Sequence, residues 1–595
     1  MRPRSTYGTG HLSRIPPGHA LTAMQRHHWI SVLLVLLTIA AFSGVRHLEF
    51  VLWDDNKNVY ENPYLRPVSW PSVLRFWRAP YFTSYVPVTR SVWAGLAGLS
   101  ALSASNVPGA PPDPQVFHLA NLAVHVLNVL LVFAILRKLV DNDWACWAGA
   151  LLFALHPVQV EPVAWVTGMK DLLGGLFGLL ALWSYLSYAV AAKEGATAGA
   201  GRAHYALATC CYVLALLSKP SAVAVPVMAW VLDCWAVKRP ARQATLALIG
   251  WVAAGAAAAV LGGYVEREGV EATIGTPIWP RPLVAGDALA FYLWKLAVPL
   301  RLAPDYGRRL ALVLAHTWGY LTWLVPCALA VLVWLRRASW PLLVASAGVF
   351  VAALLPVLGF VPFRFQGYST VADRYLYLAM LGPALALAWV LARRQSKVIW
   401  TVCLTALTLA GLQTTVQTLH WRNTFALFVH TLEINPNSWT SYTNLGAALK
   451  EQGEIAHAMT SFRRALAICP DDAGAHFGLG RILHETGRME EAAVEFRAAV
   501  RSRPYVPEMH DYLGIVLGTL GRNAEAQAHW AEALRLDPEY ASAHHNLAIS
   551  LYAQGRAQEA IEHWREALRV RPDFARAQRS LAQVLEAEEQ ARRSE

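Results

Sequence analysis

The sequence predicts an all-α protein in two parts, a bundle of membrane-crossing helices followed by a stack of repeated helix pairs. Three observations predict it. The 595 residues are 55% hydrophobic and only 15% charged, whereas soluble proteins carry about 25% charged residues. Apolar runs recur from residue 30 to residue 416, many of them close to the roughly 20 residues that cross a bilayer. From Asn435 onward the pattern changes to a strict 34-residue repeat. Charge divides at the same place: residues 437–595 hold 18 Lys+Arg against 22 Asp+Glu, net −4, which leaves +15 in 1–436 out of +11 overall. The basic half is the apolar half, so its charge sets topology rather than binding nucleic acid. Seven scattered cysteines show no metal-ligand spacing and mostly lie in apolar runs, so neither a zinc site nor a disulfide framework is indicated.

Taken in order, residues 1–28 carry Arg2, Arg4, Arg14 and Arg26 and read as a disordered, basic cytoplasmic tail. The apolar run 30–43 could be a signal-peptide core, but the multispanning chain behind it favours an uncleaved first span. Immediately after it comes Trp53-Asp54-Asp55-Asn56, then Asn62-Pro63. Two carboxylates at a membrane face are either a solvated turn or a general base acting on a substrate held at that depth. Residues 47–115 form a long aromatic, proline-rich loop, within which 88–102 is expected to lie flat on the membrane. Further spans are predicted at 117–138, 144–163, 172–192, 203–218, 221–237, 243–264, 311–335, 340–357, 374–392 and 398–416, eleven in all. The 286–300 segment is too short to cross and reads as re-entrant or interfacial. With the N-terminus inside, Arg137-Lys138, Lys193, Lys238-Arg239, Arg336-Arg337 and Arg393-Arg394 all fall at cytoplasmic ends. Loops 47–115, 157–170, 265–310 and 358–373, and the C-terminal part, then share the opposite face.

That outer face collects the chain's unusual polar residues. His118, Asn121 and His125 fall at i, i+3 and i+7, so they share one helix face; interhelical hydrogen bonding explains them as well as a site does. His156-Pro157-Val158-Gln159-Val160-Glu161-Pro162 and Lys170-Asp171 sit at an outer span end. Ser218-Lys219-Pro220 interrupts an apolar run, and its lysine either snorkels or neutralises an anion. Asp373-Arg374-Tyr375, with Arg364 nearby, is either a closed ion pair or an arginine free for phosphate. Carboxylates and cations at one depth suit a reaction on a lipid-linked phosphate, with cations meeting the leaving-group charge and a carboxylate taking a proton.

In the C-terminal part, Pro436, Pro470, Pro504, Pro538 and Pro572 are 34 apart, and Gly453, Gly487, Gly521 and Gly555 keep the period. Ala465, Ala499, Ala533 and Ala567 do too, with aromatics at Phe462, Phe496, Trp530 and Trp564. This is the tetratricopeptide pattern: four repeats at 437–470, 471–504, 505–538 and 539–572, a capping helix over 573–592, and a concave face for a partner or acceptor protein.

The stretches 53–55, 62–63, 118–125, 156–165, 170–173, 218–220 and 372–375, in that order and followed by these repeats, resemble the transmembrane-and-tetratricopeptide-containing O-mannosyltransferases of the glycosyltransferase C superfamily. The resemblance implies a GT-C-type transmembrane domain over 29–420 and transfer of mannose, with inversion, to a protein hydroxyl on the non-cytoplasmic side. The donor would be polyprenyl- or dolichyl-phosphate mannose, with no other cofactor and no metal. Carried onto this chain, Asp54 or Asp55 is the base, Asp54 the favoured one. Lys170, Lys219, Arg374 and Arg364 bind the donor phosphate, while His118, Asn121, His125, His156, Glu161, Asp171 and Asp373 support the site. Met169 stands where the family leads one to expect arginine, which shifts the phosphate grip to the other cations. No Asn-x-Ser/Thr sequon occurs, and the Ala- and Arg-rich composition suits a bacterial inner membrane over the endoplasmic reticulum. Two other classes compete: a scaffold that recruits partners through its repeats, which would have no use for these polar residues on one face, and a lipid-sugar transporter, which should show repeated halves.

Overall fold

A computed structural model describes residues 17–66, 68–82, 84–103, 111–195, 198–274, 279–361 and 363–594. These divide into two compact units, up to Asn423 and from Thr424 on, and among the described residues there is no β-strand. Six helices are long and apolar enough to cross a membrane, or seven counting one bent pair; 28–41, 143–155, 341–357 and 424–434 are shorter apolar helices. The chain is built as an integral membrane protein.

In the first unit, helix α1 (Pro17–Ala41) already begins inside the segment expected to be a disordered tail; residues 1–16 lie outside the described residues. The loop that follows is mostly ordered. It contains a π turn at Asn56–Tyr60, the amphipathic α2 (Trp70–Arg78) and α3 (Pro87–Ser103), the segment expected to lie flat. Helix α4 (Pro114–Leu139) starts where Asp113 Oδ1 accepts the Gln115 N–H at 2.9 Å, and ends on Arg137-Lys138. Those basic residues complement the helix's C-terminal dipole.

Proline decides where the expected spans break. Helix α5 (Asp143–Leu155) stops at His156 because Pro157 follows, so the expected span 144–163 is a shorter helix plus a run of single turns. One of those turns is α6 (Val160–Ala164), and α7 (Met169–Lys193) resumes after it. The expected span 374–392 is likewise two pieces, a short helix to Ala379 and another from Leu381 to Arg393, bent by 50°. The cause is Pro383, which lacks an N–H and clashes with the carbonyl four residues back. The 311–335 segment is interrupted at His316, leaving Thr317–Leu335 as its apolar part. Of residues 286–300, those up to Ala297 belong to the helix Arg281–Ala297, whose Asp287, Tyr292 and Lys295 are buried.

The second unit begins with the helix Thr424–Ile434, followed by four helix pairs from Trp439–Glu451 and Ile455–Ile468 to Ala541–Ala553 and Ala557–Val570. Ala575–Ser594 caps them. The periodic residues do what their chemistry suggests. Gly453, Gly487, Gly521 and Gly555 turn between helices at φ +75° to +82°, a backbone that side chains resist. Ala465, Ala499, Ala533 and Ala567 are fully buried.

A second periodic device was not evident from the sequence. His476, His510, His544 and Gln578 each contact the carbonyl of the proline six residues back, at 2.7–3.0 Å. A carbonyl only accepts, so each histidine carries its proton on Nε2 and turns Nδ1 to a partner 19 residues on. That partner is Glu495 for His476, but His529 and His563 for the other two, at 3.0 and 2.9 Å. Glu495 raises the basicity of His476, while burial and the facing histidine lower that of His529 and His563. The signs follow by linkage. The His476 contribution is present below the unfolded value and is lost as pH rises through the folded one. The His529 and His563 contributions are present above the unfolded value, near 6.5, and are lost as pH falls. We therefore expect peptides from 505–572 to lose hydrogen-exchange protection between pH 7.5 and 5.5, and the double variant His529→Glu, His563→Glu to reverse the trend. Unchanged protection in the native chain would contradict this account.

Candidate functional site: an acidic turn beside a cation-lined cleft

The two adjacent aspartates do different things. Asp55 is fully buried and accepts three hydrogen bonds: Val51 N–H at 3.1 Å, Thr167 N–H at 3.0 Å and Thr167 Oγ1–H at 2.7 Å. Burial nevertheless pushes its carboxyl up to about 7, against the pull of those bonds. Asp54 is exposed, its carboxylate makes no hydrogen bond or ion pair among the described residues, and its backbone is left-handed at φ +72°. Asp tolerates that conformation better than most residues, but it still costs on the order of 1 kcal/mol. Among charges acting on Lys170, Asp54 is the strongest attractive one. Among the described residues Lys170 Nζ makes no hydrogen bond or ion pair, and it lies 5.5 Å from the Trp165 ring.

Asp171, the next residue, helps line a small cleft with Lys219, Ser221, Arg374 and Tyr375. Lys219 is bridged to Asp171 and keeps about a fifth of its side chain exposed. Gly174 makes that approach possible, since a Cβ there would come within 3.0 Å of the Lys219 side chain. Arg374, expected as a free phosphate ligand, is not free. Glu161 Oε1 takes its guanidinium at 2.6 Å and Glu161 Oε2 its backbone N–H at 2.9 Å. The guanidinium stacks 4.1 Å from Phe365 and 5.6 Å from Trp165. A buried arginine needs such a counter-charge; the pair still presents a polarised cation to the cleft. Asp373 turns the other way and accepts the Tyr306 hydroxyl at 2.8 and 2.9 Å.

The remaining expected residues divide between site and packing. Asn121 donates to the carbonyls of Val163 and Trp165, at 3.2 and 2.7 Å, and so holds the turn segment from behind. His125 meets the Tyr377 hydroxyl at 2.9 Å and the Ala154 carbonyl at 3.2 Å, and Asn128, which the sequence reading passed over, reaches the same hydroxyl. His118 contacts the Glu49 carbonyl at 3.4 Å and His156 the Leu296 carbonyl at 3.2 Å. These are interhelical hydrogen bonds that fix backbone positions, the glue that polar residues in spans commonly supply. Arg364 lies 5.8 Å from the Phe82 ring and does not line the cleft. Met169, where arginine was expected, is buried among apolar side chains. Among the described residues no group of three or more His, Cys, Asp or Glu could hold a metal ion.

Sequence reading did not name Trp53, Thr167, Tyr306, Tyr375 and Tyr377 as site residues, although Trp53 and Tyr375 lay in motifs it singled out. Thr167 left a weaker signal, a lone hydroxyl two residues after Trp165 in an apolar stretch. Glu161 is the residue on which the cleft depends for folding. Glu161→Gln leaves the buried guanidinium without a charge partner, which costs about 3–5 kcal/mol. Thermal unfolding in detergent should show the bundle markedly destabilised, whereas Asp54→Asn should unfold like wild type.

Comparison with known proteins matches the tetratricopeptide repeat to residues 443–507 and 505–573. Human protein O-mannosyl-transferase TMTC1 is 25% identical over 407 residues, covering 59% of this chain and 45% of that protein. Human protein O-mannosyl-transferase TMTC3 is 25% identical over 391 residues, covering 59% and 42%. Drosophila melanogaster protein O-mannosyl-transferase Tmtc2 is 40% identical over 72 residues, 12% of this chain and 8% of that protein. The chain thus spans less than half the length of these relatives. Among solved structures, the tetratricopeptide protein YrrB aligns with 32% of this chain at 19% identity and a TM-score of 0.24.

Proposed function

The chain is a relative of the transmembrane-and-tetratricopeptide-containing O-mannosyltransferases, and on that footing we propose that it transfers mannose from a polyprenyl-phosphate donor to a protein Ser or Thr hydroxyl. The observation that carries the proposal is an exposed Asp54 carboxylate whose charge acts on Lys170, the residue preceding Asp171, which lines a cleft together with Lys219 and Arg374. In the step so formed, Asp54 takes the acceptor hydroxyl proton as its oxygen bonds to the anomeric carbon. The bond from that carbon to the phosphate oxygen breaks, and the phosphate leaves with a second negative charge. Lys170, Lys219 and Arg374 stabilise that developing charge. Single displacement inverts the sugar carbon. A retaining route needs a second carboxylate able to act as nucleophile, and here Asp55, Asp171, Glu161 and Asp373 are all engaged elsewhere. The repeats would hold the acceptor protein or a partner, on the same outer face as Asp54.

Radiolabelled mannose transfer from polyprenyl phosphate, in membranes bearing each variant, tests the chemistry. Asp54→Asn should lose about 10²–10⁴-fold in rate while binding donor normally, and Lys170→Met should instead weaken donor binding. Full transfer by Asp54→Asn would remove the mechanism and leave the scaffold reading. Sidedness is tested separately: reporter fusions within 136–140 should read cytoplasmic and fusions after Pro436 should read outside. A cytoplasmic signal after Pro436 would part the repeats from the Asp54 face.

A further inference from the structure

Asp54 is the unheld side chain of the acidic turn, yet its backbone rests at φ +72°, where a non-glycine residue stays only if its surroundings keep it there. Part of what keeps it there comes from one short segment. On its N-terminal side, Trp165 Nε1–H donates to the Trp53 carbonyl at 2.6 Å. On its C-terminal side, Thr167 donates its N–H and its Oγ1–H to Asp55 Oδ1, at 3.0 and 2.7 Å. Both neighbours of Asp54 are therefore pegged to residues only two apart, and the residue between them cannot relax alone. Trp165 is anchored in turn, because Asn121 donates to its carbonyl at 2.7 Å. The segment can fold back on itself because residue 168 is glycine, where a Cβ would sit 2.3 Å from the Pro162 carbonyl oxygen.

The same Trp165 ring faces the cations. Lys170 Nζ lies 5.5 Å from its centre and the Arg374 guanidinium 5.6 Å. We propose that Trp165 and Thr167 are positioning residues of the transfer site, which aim Asp54 at the acceptor hydroxyl and set its distance from the cations that meet the phosphate. The proposal rests on the reading of Asp54 as the base. Packing alone accounts for a buried aromatic ring. It does not account for an indole N–H directed onto the carbonyl next to Asp54, nor for a fully buried threonine hydroxyl where valine would fill the same volume. Misplacement of a reacting group by about 1 Å can lower a rate about 10²-fold, so pegs of this kind have a kinetic consequence that ring burial lacks.

Isosteric variants test it. Trp165→Phe keeps an aromatic face for Lys170 and Arg374 but deletes the N–H. It should lower kcat by about 10–100-fold and leave KM for polyprenyl-phosphate mannose within about twofold. Thr167→Val keeps the shape and deletes the hydroxyl. It should lower kcat to a similar extent, and Thr167→Ser, which puts the hydroxyl back on Asp55, should restore it. Hydrogen exchange in peptides covering 51–58 should rise in Trp165→Phe and Thr167→Val with the rest of the bundle unchanged. A kcat within twofold of wild type in both variants, or unchanged exchange in 51–58, overturns the proposal. A wild type without any mannose transfer refutes the reaction itself, and the exchange experiment then decides the pegging of the turn by itself.

Discussion

The Glu161–Arg374 pair is the constraint from which the rest of the membrane unit's site follows. Its partners are 213 residues apart in the chain, and both are buried. Glu161 sits on a single helical turn between two prolines, and Arg374 on a single turn before a kinked helix. A carboxylate that binds both the guanidinium and the backbone N–H of one residue fixes distance and orientation together. Once these turns are locked, Trp165 and Thr167 have a defined place from which to hold 53–55, and Lys170 and Asp171 one from which to meet Asp54 and Lys219.

Isolated turns at an outer end of a bundle would otherwise leave backbone donors and acceptors unmet in a poorly hydrated region. Side chains meet them here. Asn121, His125, His156 and Gln159 each contact a carbonyl of a helix end or turn. The polar residues on the outer face therefore form two populations that a hydropathy profile does not separate. One satisfies broken backbone; the other surrounds the cleft. Residues of the first kind are needed for the second to exist, because the cleft residues stand on the backbone that the first kind hold.

How much of this was legible in the sequence depends on the range of the interaction. The repeats were legible almost residue by residue, because a solenoid's contacts lie within one or two periods and recur. Even so, the histidine ladder escaped, since it replaces an aromatic position with a hydrogen-bonded one without disturbing the period. In the membrane unit, the order of apolar segments and the polar clusters were legible from hydropathy. The breaks at His156 and Leu381 were carried by Pro157 and Pro383, a signal that a sliding apolar window averages away. Which aspartate is held and which is free was not legible. That depends on Thr167, 112 residues from Asp55. For the same reason Arg374 read as a free cation: its partner is distant in sequence, and charge spacing on one helix says nothing of it.

Charge bookkeeping across the cleft explains why one free carboxylate and one free ammonium suffice for the proposed transfer. Asp171 with Lys219 and Glu161 with Arg374 are neutral as pairs. That leaves Asp54 and Lys170, again neutral together, to receive a donor phosphodiester bearing one negative charge. During transfer Asp54 is neutralised by the acceptor's proton while the departing phosphate gains a charge. The total is unchanged; one negative charge moves from the acidic turn to the cleft. A cation between the two positions stabilises the start and the end alike, and it stabilises best the state in which the charge is shared. Lys170 is the candidate for that role, since Asp54 and Asp171 both act on its charge. A second free carboxylate would compete with the leaving phosphate for Lys170, and the three hydrogen bonds that engage Asp55 remove that competition.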